Sequence, residues 1–155
     1  MSPSMFWAGL LPLCAIAAWL VLRGPIRVVI EDRDVHRARD QFRLEREWIE
    51  ARFLAALARH DPIERLRWED AYWHDEVVWA RDRQSRRLLA LIGVTFPNDP
   101  ISGFPDEPPR HATALFEYRK GHWKVDGRHF DEIRPDEAFL RHREFEPVVL
   151  PQRRG

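Results

Sequence analysis

The sequence predicts an α+β protein in which an N-terminal transmembrane helix precedes one cytoplasmic domain. Residues 5–22 form a run of 18 residues without a charged side chain. Residues 34–60 carry apolar side chains at helical spacing, and several later segments alternate apolar and polar residues as β-strands do. We therefore expect one long amphipathic helix packed on a five-stranded antiparallel sheet, followed by a short C-terminal helix.

The charge-free run is long enough for a membrane anchor, because a helix rises about 1.5 Å per residue and the hydrocarbon core is about 30 Å thick. Trp7 and Trp19 lie near its ends, where aromatic rings favour the membrane interface. A cleaved signal peptide is the alternative, but no Lys or Arg precedes the run. Arginines follow it from Arg23 to Arg39, which predicts an external N-terminus and a cytoplasmic domain. We expect a single-pass protein of the cell membrane whose residues 5–22 contact lipid.

The predicted domain boundaries follow from this anchor. Gly24 and Pro25 end it, since proline lacks a backbone donor. The parts are the anchor at residues 1–24, a juxtamembrane linker at 25–33, the α+β domain at 34–146 and a flexible tail at 147–155.

Composition excludes some classes of function. The chain has 25 basic and 25 acidic residues, and this zero net charge argues against a nucleic-acid-binding protein. Its one cysteine, Cys14, lies in the anchor, which rules out an intramolecular disulfide and a cysteine-based metal site.

The long helix is predicted to end at Asp61-Pro62 and to bury one face. That face carries seven apolar residues: Val35, Ala38, Phe42, Ile49, Phe53, Ala56 and Leu57. Leu44, Trp48 and Ala55 form a second, lateral patch, which we expect a loop to cover. A coiled-coil dimer is the alternative, but Glu45 and Arg46 interrupt the apolar stripe.

Five segments are predicted to be strands: Leu66–Trp73, Glu76–Asp82, Leu88–Phe96, Ala112–Tyr118 and Trp123–Phe130. Tight turns connect most of them, at His74-Asp75, Gln84-Ser85 and Lys120-Gly121. Leu88–Phe96 is apolar on both faces, which is typical of a central, fully covered strand.

The remaining segments are a loop and the closing helix. Residues 97–110 contain five prolines and are predicted to form a mobile, dispensable connection. The alternative is a lid that inserts Ile101 and Phe104 into a pocket. Pro135 suits the first turn of a short helix over Asp136–Phe145.

This order of elements resembles cystatin-like and nuclear-transport-factor-like domains, in which a sheet wraps one helix. Four segments, FRLEREWIEARF, LRWEDAYWHDEVVWARDRQS, LLALIGVTF and ATALFEYRKGHWKVDGR, are also similar to a set of small, uncharacterised bacterial proteins with one N-terminal anchor. Those proteins have acidic residues and glycine in the loop after the central strand, where this chain has prolines. The resemblance implies the anchored architecture and no particular activity.

Three groups of residues are candidates for binding. Trp68, Trp79 and Trp123 are predicted on strands and would line a ligand pocket on the sheet, although aromatic strand residues more often belong to the core. A second hypothesis is a divalent metal site formed by His74-Asp75-Glu76 together with His129 and Asp131. The alternative is that these residues are solvated turn residues without a ligand. A basic group would contact anionic lipid or form a solvated hairpin tip: Arg81, Arg83, Arg86, Arg87, Arg153 and Arg154.

No motif of known catalytic mechanism occurs in the sequence, so we assign no catalytic residue, cofactor or metal. The sequence favours a non-catalytic, membrane-tethered cytoplasmic domain that binds a protein partner or self-associates. The alternative is a membrane-bound enzyme or small-molecule-binding domain with an aromatic pocket on its sheet. Convergence of His74, Asp75 and His129 in one cleft would favour the enzyme.

Overall fold

The computed structural model describes residues 34–97 and 108–148. The predicted anchor, the juxtamembrane linker, most of the proline-rich loop and residues 149–155 lie outside these ranges. No helix within the described ranges is long and apolar enough to span a bilayer.

The chain divides into two units, residues 1–40 and 41–155. The described part of the first unit is helical, and its Val35 and Ala38 are buried. The described elements, in chain order, are α1 (residues 34–60), α2 (Pro62–Glu69), β1 (Tyr72–Asp82), β2 (Leu88–Phe96), β3 (Arg110–Arg119), β4 (His122–Lys124), β5 (His129–Asp131), α3 (Ala138–Arg141) and β6 (Phe145–Pro147).

The strands form one antiparallel sheet, as predicted, but with six strands rather than five. Their order is β4-β3-β2-β1-β6. β5 pairs with β3 on the same edge as β4, but with residues 112–114 of β3 rather than 117–119. Leu88–Phe96 is the central strand, with the predicted bounds and with all but one residue buried. In its register, Ile92 lies opposite Val77 on one side and Ala114 on the other.

One face of the sheet, which we call the helix face, packs against the part of α1 in the second unit. Phe42 contacts the rings of Trp79 and Trp123, with centroid distances of 5.8 and 4.8 Å. Phe53 packs against Phe116 at 5.6 Å. All seven residues of the predicted apolar stripe of the helix are buried, so the stripe is confirmed.

The opposite face, which we call the C-terminal face, is covered by the segment that follows β5. Its core is largely aliphatic: Ala80, Leu89, Leu91, Leu115, Ile133, Ala138 and Phe145. The buried Thr113 hydroxyl donates to the carbonyl oxygen of Ile133 at 2.6 Å, which ties this segment to β3.

The predicted first strand, Leu66–Trp73, is wrong, because its first half belongs to the helix α2 and only Tyr72 and Trp73 are in a strand. Asp61 caps α2 by accepting hydrogen bonds from two backbone N–H groups, and Pro62 occupies its first turn. Glu64 and Trp68 are hydrogen-bonded one helical turn apart. The alternation of Leu66 and Trp68 imitated a strand, yet Leu66 is exposed and only Trp68 is buried.

The predicted turn at His74-Asp75 is also wrong, since β1 continues through it. Trp73 pairs with Val94 and Val77 with Ile92, so residues 74–76 lie opposite a single residue of β2. These three residues form a β-bulge, which interrupts the ladder without ending the strand.

Two predictions for the C-terminal part have the wrong bounds. Trp123–Phe130 is two short strands, because residues 125–128 leave the ladder around Gly127, whose φ is +77°. The predicted short C-terminal helix is present, but it spans four residues, Ala138–Arg141, rather than Asp136–Phe145. Beyond it, β6 pairs with β1, and the Val148 N–H donates to the Trp79 carbonyl, so the sheet extends into the segment predicted as a tail.

Candidate functional site

A cleft of about 480 Å³ lies beside the bulge of β1. Its polar lining residues come from β1, from the start of β3 and from the segment after β5: His74, Glu76, His111, Arg134 and Asp136. Val78, Gly93 and Pro135 supply part of its apolar wall. We call it the histidine cleft.

Thr95 joins the two histidines of the cleft. The Nε2 atom of His74 lies 2.8 Å from the Thr95 hydroxyl oxygen, and the Nδ1 atom of His111 lies 3.2 Å from the same oxygen. A hydroxyl can donate one hydrogen bond and accept others. The Thr95 hydroxyl can therefore donate a hydrogen bond to one neutral imidazole and accept a hydrogen bond from the other. The tautomer of each ring then depends on the tautomer of the other ring.

A bulge in β1 places His74 beside Gly93 and Pro135. His74 is the first of the three bulged residues, which lie opposite Gly93 alone. A Cβ at Gly93 would lie 3.3 Å from Pro135 Cδ and 3.7 Å from His74 Cδ2. The glycine thus allows Pro135 to approach β2 closely, whereas His74 lies at an ordinary contact distance.

The bulge is held from the other side by α1. The Arg46 guanidinium donates hydrogen bonds to the carbonyl oxygens of His74 and Asp75, the latter at 2.8 Å. Arg46 also pairs with Glu50 at 2.8 Å, one turn along the same helix. The backbone that carries His74 is therefore fixed by a charge-assisted contact.

The cleft combines groups of both signs. Glu76 and Asp136 are carboxylates, Arg134 is a permanent cation, and the two imidazoles donate or accept. A few convergent polar groups in a partly apolar cleft are typical of a small-molecule site. This arrangement suits a small polar ligand that carries both donors and acceptors.

The structure places the three predicted site tryptophans on the helix side of the sheet. Trp79 and Trp123 lie together, with ring centroids 5.9 Å apart, and Trp68 is on α2 rather than on a strand. Trp68 is 0% exposed and Trp123 is 2% exposed, while Trp79 is half-buried. None of the three lines the histidine cleft.

The residues of the metal hypothesis are brought together only in part. His74 lies in the cleft, whereas the ring of His129 contacts the aromatic core at Trp68, with a centroid distance of 5.1 Å. His129 and Asp131 do lie close to each other, and Glu64 of α2 joins them. The predicted enzyme cleft containing both His74 and His129 is therefore not formed.

The basic turn between β1 and β2 is largely engaged within the domain. Arg86 forms an ion pair with Glu146, and Arg87 pairs with the nearly buried Glu117 at 2.6 Å. Arg81 donates to the carbonyl oxygen of Arg86. Arg83 is exposed, and the last two arginines of the group lie outside the described residues.

A different surface, on α1, is apolar and exposed. Leu44 is 87% exposed and Trp48 is 56% exposed, and Ala51 and Ala55 extend the same face. We call these four residues the α1 patch. The predicted lateral patch is present, and no loop within residues 34–97 and 108–148 covers Leu44 or Trp48.

Sequence reasoning missed Thr95 as a functional candidate and did not join His111 to His74. One signal was available, because Thr95 is the only polar side chain in the apolar strand LLALIGVTF. Its partners become visible only from the register, in which Thr95 pairs with His111 on β3 and with Tyr72 on β1.

Comparison with known proteins adds no assignment to this geometry. The chain matches no protein-family model, no curated protein and no solved structure.

Proposed function

We propose that this chain is a membrane-tethered domain that binds a partner protein through the α1 patch. The observation that carries the proposal is the exposure of Leu44 and Trp48 on a helix whose other face is fully buried. Surface tryptophan in an apolar setting is characteristic of protein-binding sites, where it supplies a large contact area.

The spacing of the patch supports a helical or groove-lining partner. Leu44, Trp48, Ala51 and Ala55 follow one another at intervals of three or four residues, which aligns them on one face of α1. Ala51 and Ala55 are small, so a partner backbone can approach the helix closely beside the larger anchors. The Arg52 guanidinium lies 4.4 Å from the centroid of the Trp48 ring and forms a polar margin.

The tether is the second part of the proposal. We infer that residues 5–22 span the cell membrane with the N-terminus outside and the α+β domain in the cytoplasm. The charge-free run and the arginines on its C-terminal side support this orientation. We regard the domain as a variant of the cystatin-like or nuclear-transport-factor-like layout, like the small anchored bacterial proteins that its segments resemble.

Site-specific photocrosslinking in membranes tests the interaction. A crosslinking amino acid at Leu44 of the full chain is expected to capture a protein, and Trp48→Glu is expected to abolish capture. Leu140→Glu is the control, because Leu140 is a large apolar residue outside the patch that is also strongly exposed. Equal loss with both variants, or no capture from residue 44, would contradict the proposal.

A fusion experiment tests the orientation independently. A reporter that is active only outside the cytoplasm, fused after Gly155, should stay inactive. Activity of that reporter would refute the cytoplasmic placement and leave the crosslinking result to be interpreted on the other side of the membrane.

The histidine cleft favours a second candidate function, which is binding of a small polar ligand. The test is side-chain NMR of labelled histidines in the full chain in detergent, with phosphate, acetate and glycine as probes of charge class. Binding in the cleft should shift the His74 and His111 signals together, since both contact Thr95. The exposed His122 is the reference, and shifts equal to those of His122 would contradict a specific site.

A further inference from the structure

We propose that Glu64, His129 and Asp131 bind a divalent transition-metal cation, with Zn²⁺ as the reference ion. Each residue offers one ligand atom, and these atoms all lie within 4.8 Å of one another. One imidazole nitrogen and two carboxylate oxygens form a three-ligand set that leaves coordination positions for water.

His129 is oriented as a metal ligand is. Its Nδ1 atom lies 3.0 Å from the Gly127 carbonyl oxygen, so Nδ1 carries the proton and donates it to that oxygen. The lone pair of a neutral ring is then on Nε2, which lies 3.9 Å from an oxygen of Asp131. A backbone carbonyl that fixes the tautomer in this way is the usual outer support of a metal-bound histidine.

Glu64 is held by a neighbour of its own. The indole N–H of Trp68 donates to its Oε1 atom at 2.9 Å, one helical turn away. Trp68 is itself fully buried, so this contact orients the carboxylate from a rigid side chain. Arg67 lies 3.3 Å from the other oxygen and is the cation that a metal would have to displace or tolerate.

The fold brings the three residues together from distant parts of the chain. The Asp61 cap begins α2 just before Glu64. On β5, His129 and Asp131 pair with Ala114 and Ala112, so they are two residues apart and share a face of the strand. The ring of Trp68 closes one side of the cluster, and Asp131 is exposed on the other, which leaves a route for an ion.

A salt bridge is the competing account of the same geometry. In that account, a protonated His129 forms an ion pair with Asp131 alone. Glu64 then interacts only with Arg67, as an ion pair, and with Trp68, through a hydrogen bond. The two accounts differ in stoichiometry and in the effect of added metal, so a binding measurement separates them.

The experiment is titration of the full chain in detergent with Zn²⁺ by calorimetry and with Co²⁺ by visible absorption. We expect one ion per chain at neutral pH. His129→Ala and Asp131→Asn should each weaken binding at least tenfold. Loss of a residue that only supports a metal ligand already costs about tenfold or more in affinity. His122→Ala is the matched control, because His122 is exposed and lies outside both candidate sites, and it should leave the affinity unchanged.

A second readout protects the test against misfolding. Asp131 is exposed, so Asp131→Asn should keep the circular dichroism spectrum and the unfolding midpoint of the metal-free parent. Zn²⁺ should raise that midpoint in the parent and not in the variant. Failure of the parent to bind stoichiometric Zn²⁺, or full binding by His129→Ala, would overturn the proposal without touching the crosslinking prediction for the α1 patch.

Discussion

The two faces of the sheet are closed by different means. On the helix face, α1 lays Phe42 and Phe53 against the rings of four strand residues, Trp73, Trp79, Phe116 and Trp123. On the C-terminal face, an aliphatic cluster covers Leu89 and Leu91, and the polar histidine cleft begins toward Gly93 and Thr95.

The difference follows from the length of the covering elements. Residues 41–60 of α1 extend for about 30 Å at 1.5 Å per residue, enough to cross several strands. The segment on the other face contains a helix of only four residues. The short cover leaves one end of its face open, and titratable side chains occupy that end. On the C-terminal face, polar side chains therefore lie where the covering segment is too short to complete the core.

The largest effect should come from a charge placed on the helix face. Ile92→Asp puts a carboxylate at a position that is 0% exposed in the central strand. An unpaired buried charge costs several kcal/mol, so we expect the domain to unfold or to lose about 4 kcal/mol or more. Denaturant unfolding of the full chain in detergent measures this loss. The exposed Leu44→Asp is the control, and similar losses for both would break the assignment of β2 to the core.

A smaller effect compares the two covers directly. Phe53→Ala should lower the free energy of unfolding by about 3–5 kcal/mol, because it removes a fully buried ring under α1. Phe139→Ala removes a partly buried ring from the C-terminal cover and should cost clearly less. Denaturation midpoints of the two variants give the comparison. Equal costs would show that the C-terminal cover is packed as tightly as α1.

Filling the histidine cleft should have a moderate effect. Gly93→Val introduces side-chain atoms where Pro135 already lies 3.3 Å from a hypothetical Cβ, and overpacking costs about 1–3 kcal/mol. If Gly93→Val is neutral in thermal unfolding, Pro135 does not rest on β2.

Thr95→Val keeps the shape of the side chain and removes the hydroxyl shared by His74 and His111. The loss of these hydrogen bonds should lower the free energy of unfolding by about 1 kcal/mol.

The smallest expected effect is pH-dependent and concerns the β1–β2 turn. The backbone N–H of Ser85, followed by other turn hydrogen bonds, lowers the pKa of Asp82. A lowered pKa in the folded state means that the ionised carboxylate stabilises folding above about pH 4 and that this contribution is lost as the pH falls through the folded-state pKa. Asp82→Asn should therefore be less stable than the parent near pH 7, by less than about 1 kcal/mol, and the difference should narrow in acid. A pH-independent difference would exclude ionisation as its cause.

The sequence was sufficient for the parts of the fold that have one strong period. Leu88–Phe96 has apolar residues on both faces and was predicted with its observed bounds. The α1 stripe and the lateral patch were both read from helical spacing. In each case, the local pattern and the tertiary environment agree, so no other segment had to be known.

The sequence was insufficient where two patterns overlap. Leu66 and Trp68 of α2 and Tyr72 of β1 alternate with polar residues as a strand would. Asp61-Pro62, predicted as the end of one helix, also begins the next. The bulge of β1 and a turn have the same sequence signal, because polar residues interrupt an apolar pattern in both. β6 has three residues, which is too short for a periodic signal.

The candidate sites depend on long-range pairing and were therefore less accessible. The register of β2 and β3 places His111 beside Thr95, which also contacts His74. Glu64 and His129 lie close together although 65 positions separate them in the sequence. Spacing along the sequence carries no information on such meetings.

The outer edge of β1 has a consequence for how copies of this domain behave when crowded. β6 pairs with residues 80–82, and no described strand pairs with residues 72–78 on that edge. An open strand edge normally invites another chain to extend the sheet, which is a route to aggregation and domain swapping. Here the bulge breaks the regular hydrogen-bonding repeat, and Arg46 already occupies two of its carbonyl oxygens. The irregularity that turns His74 into the cleft thus also protects the sheet from edge-to-edge growth.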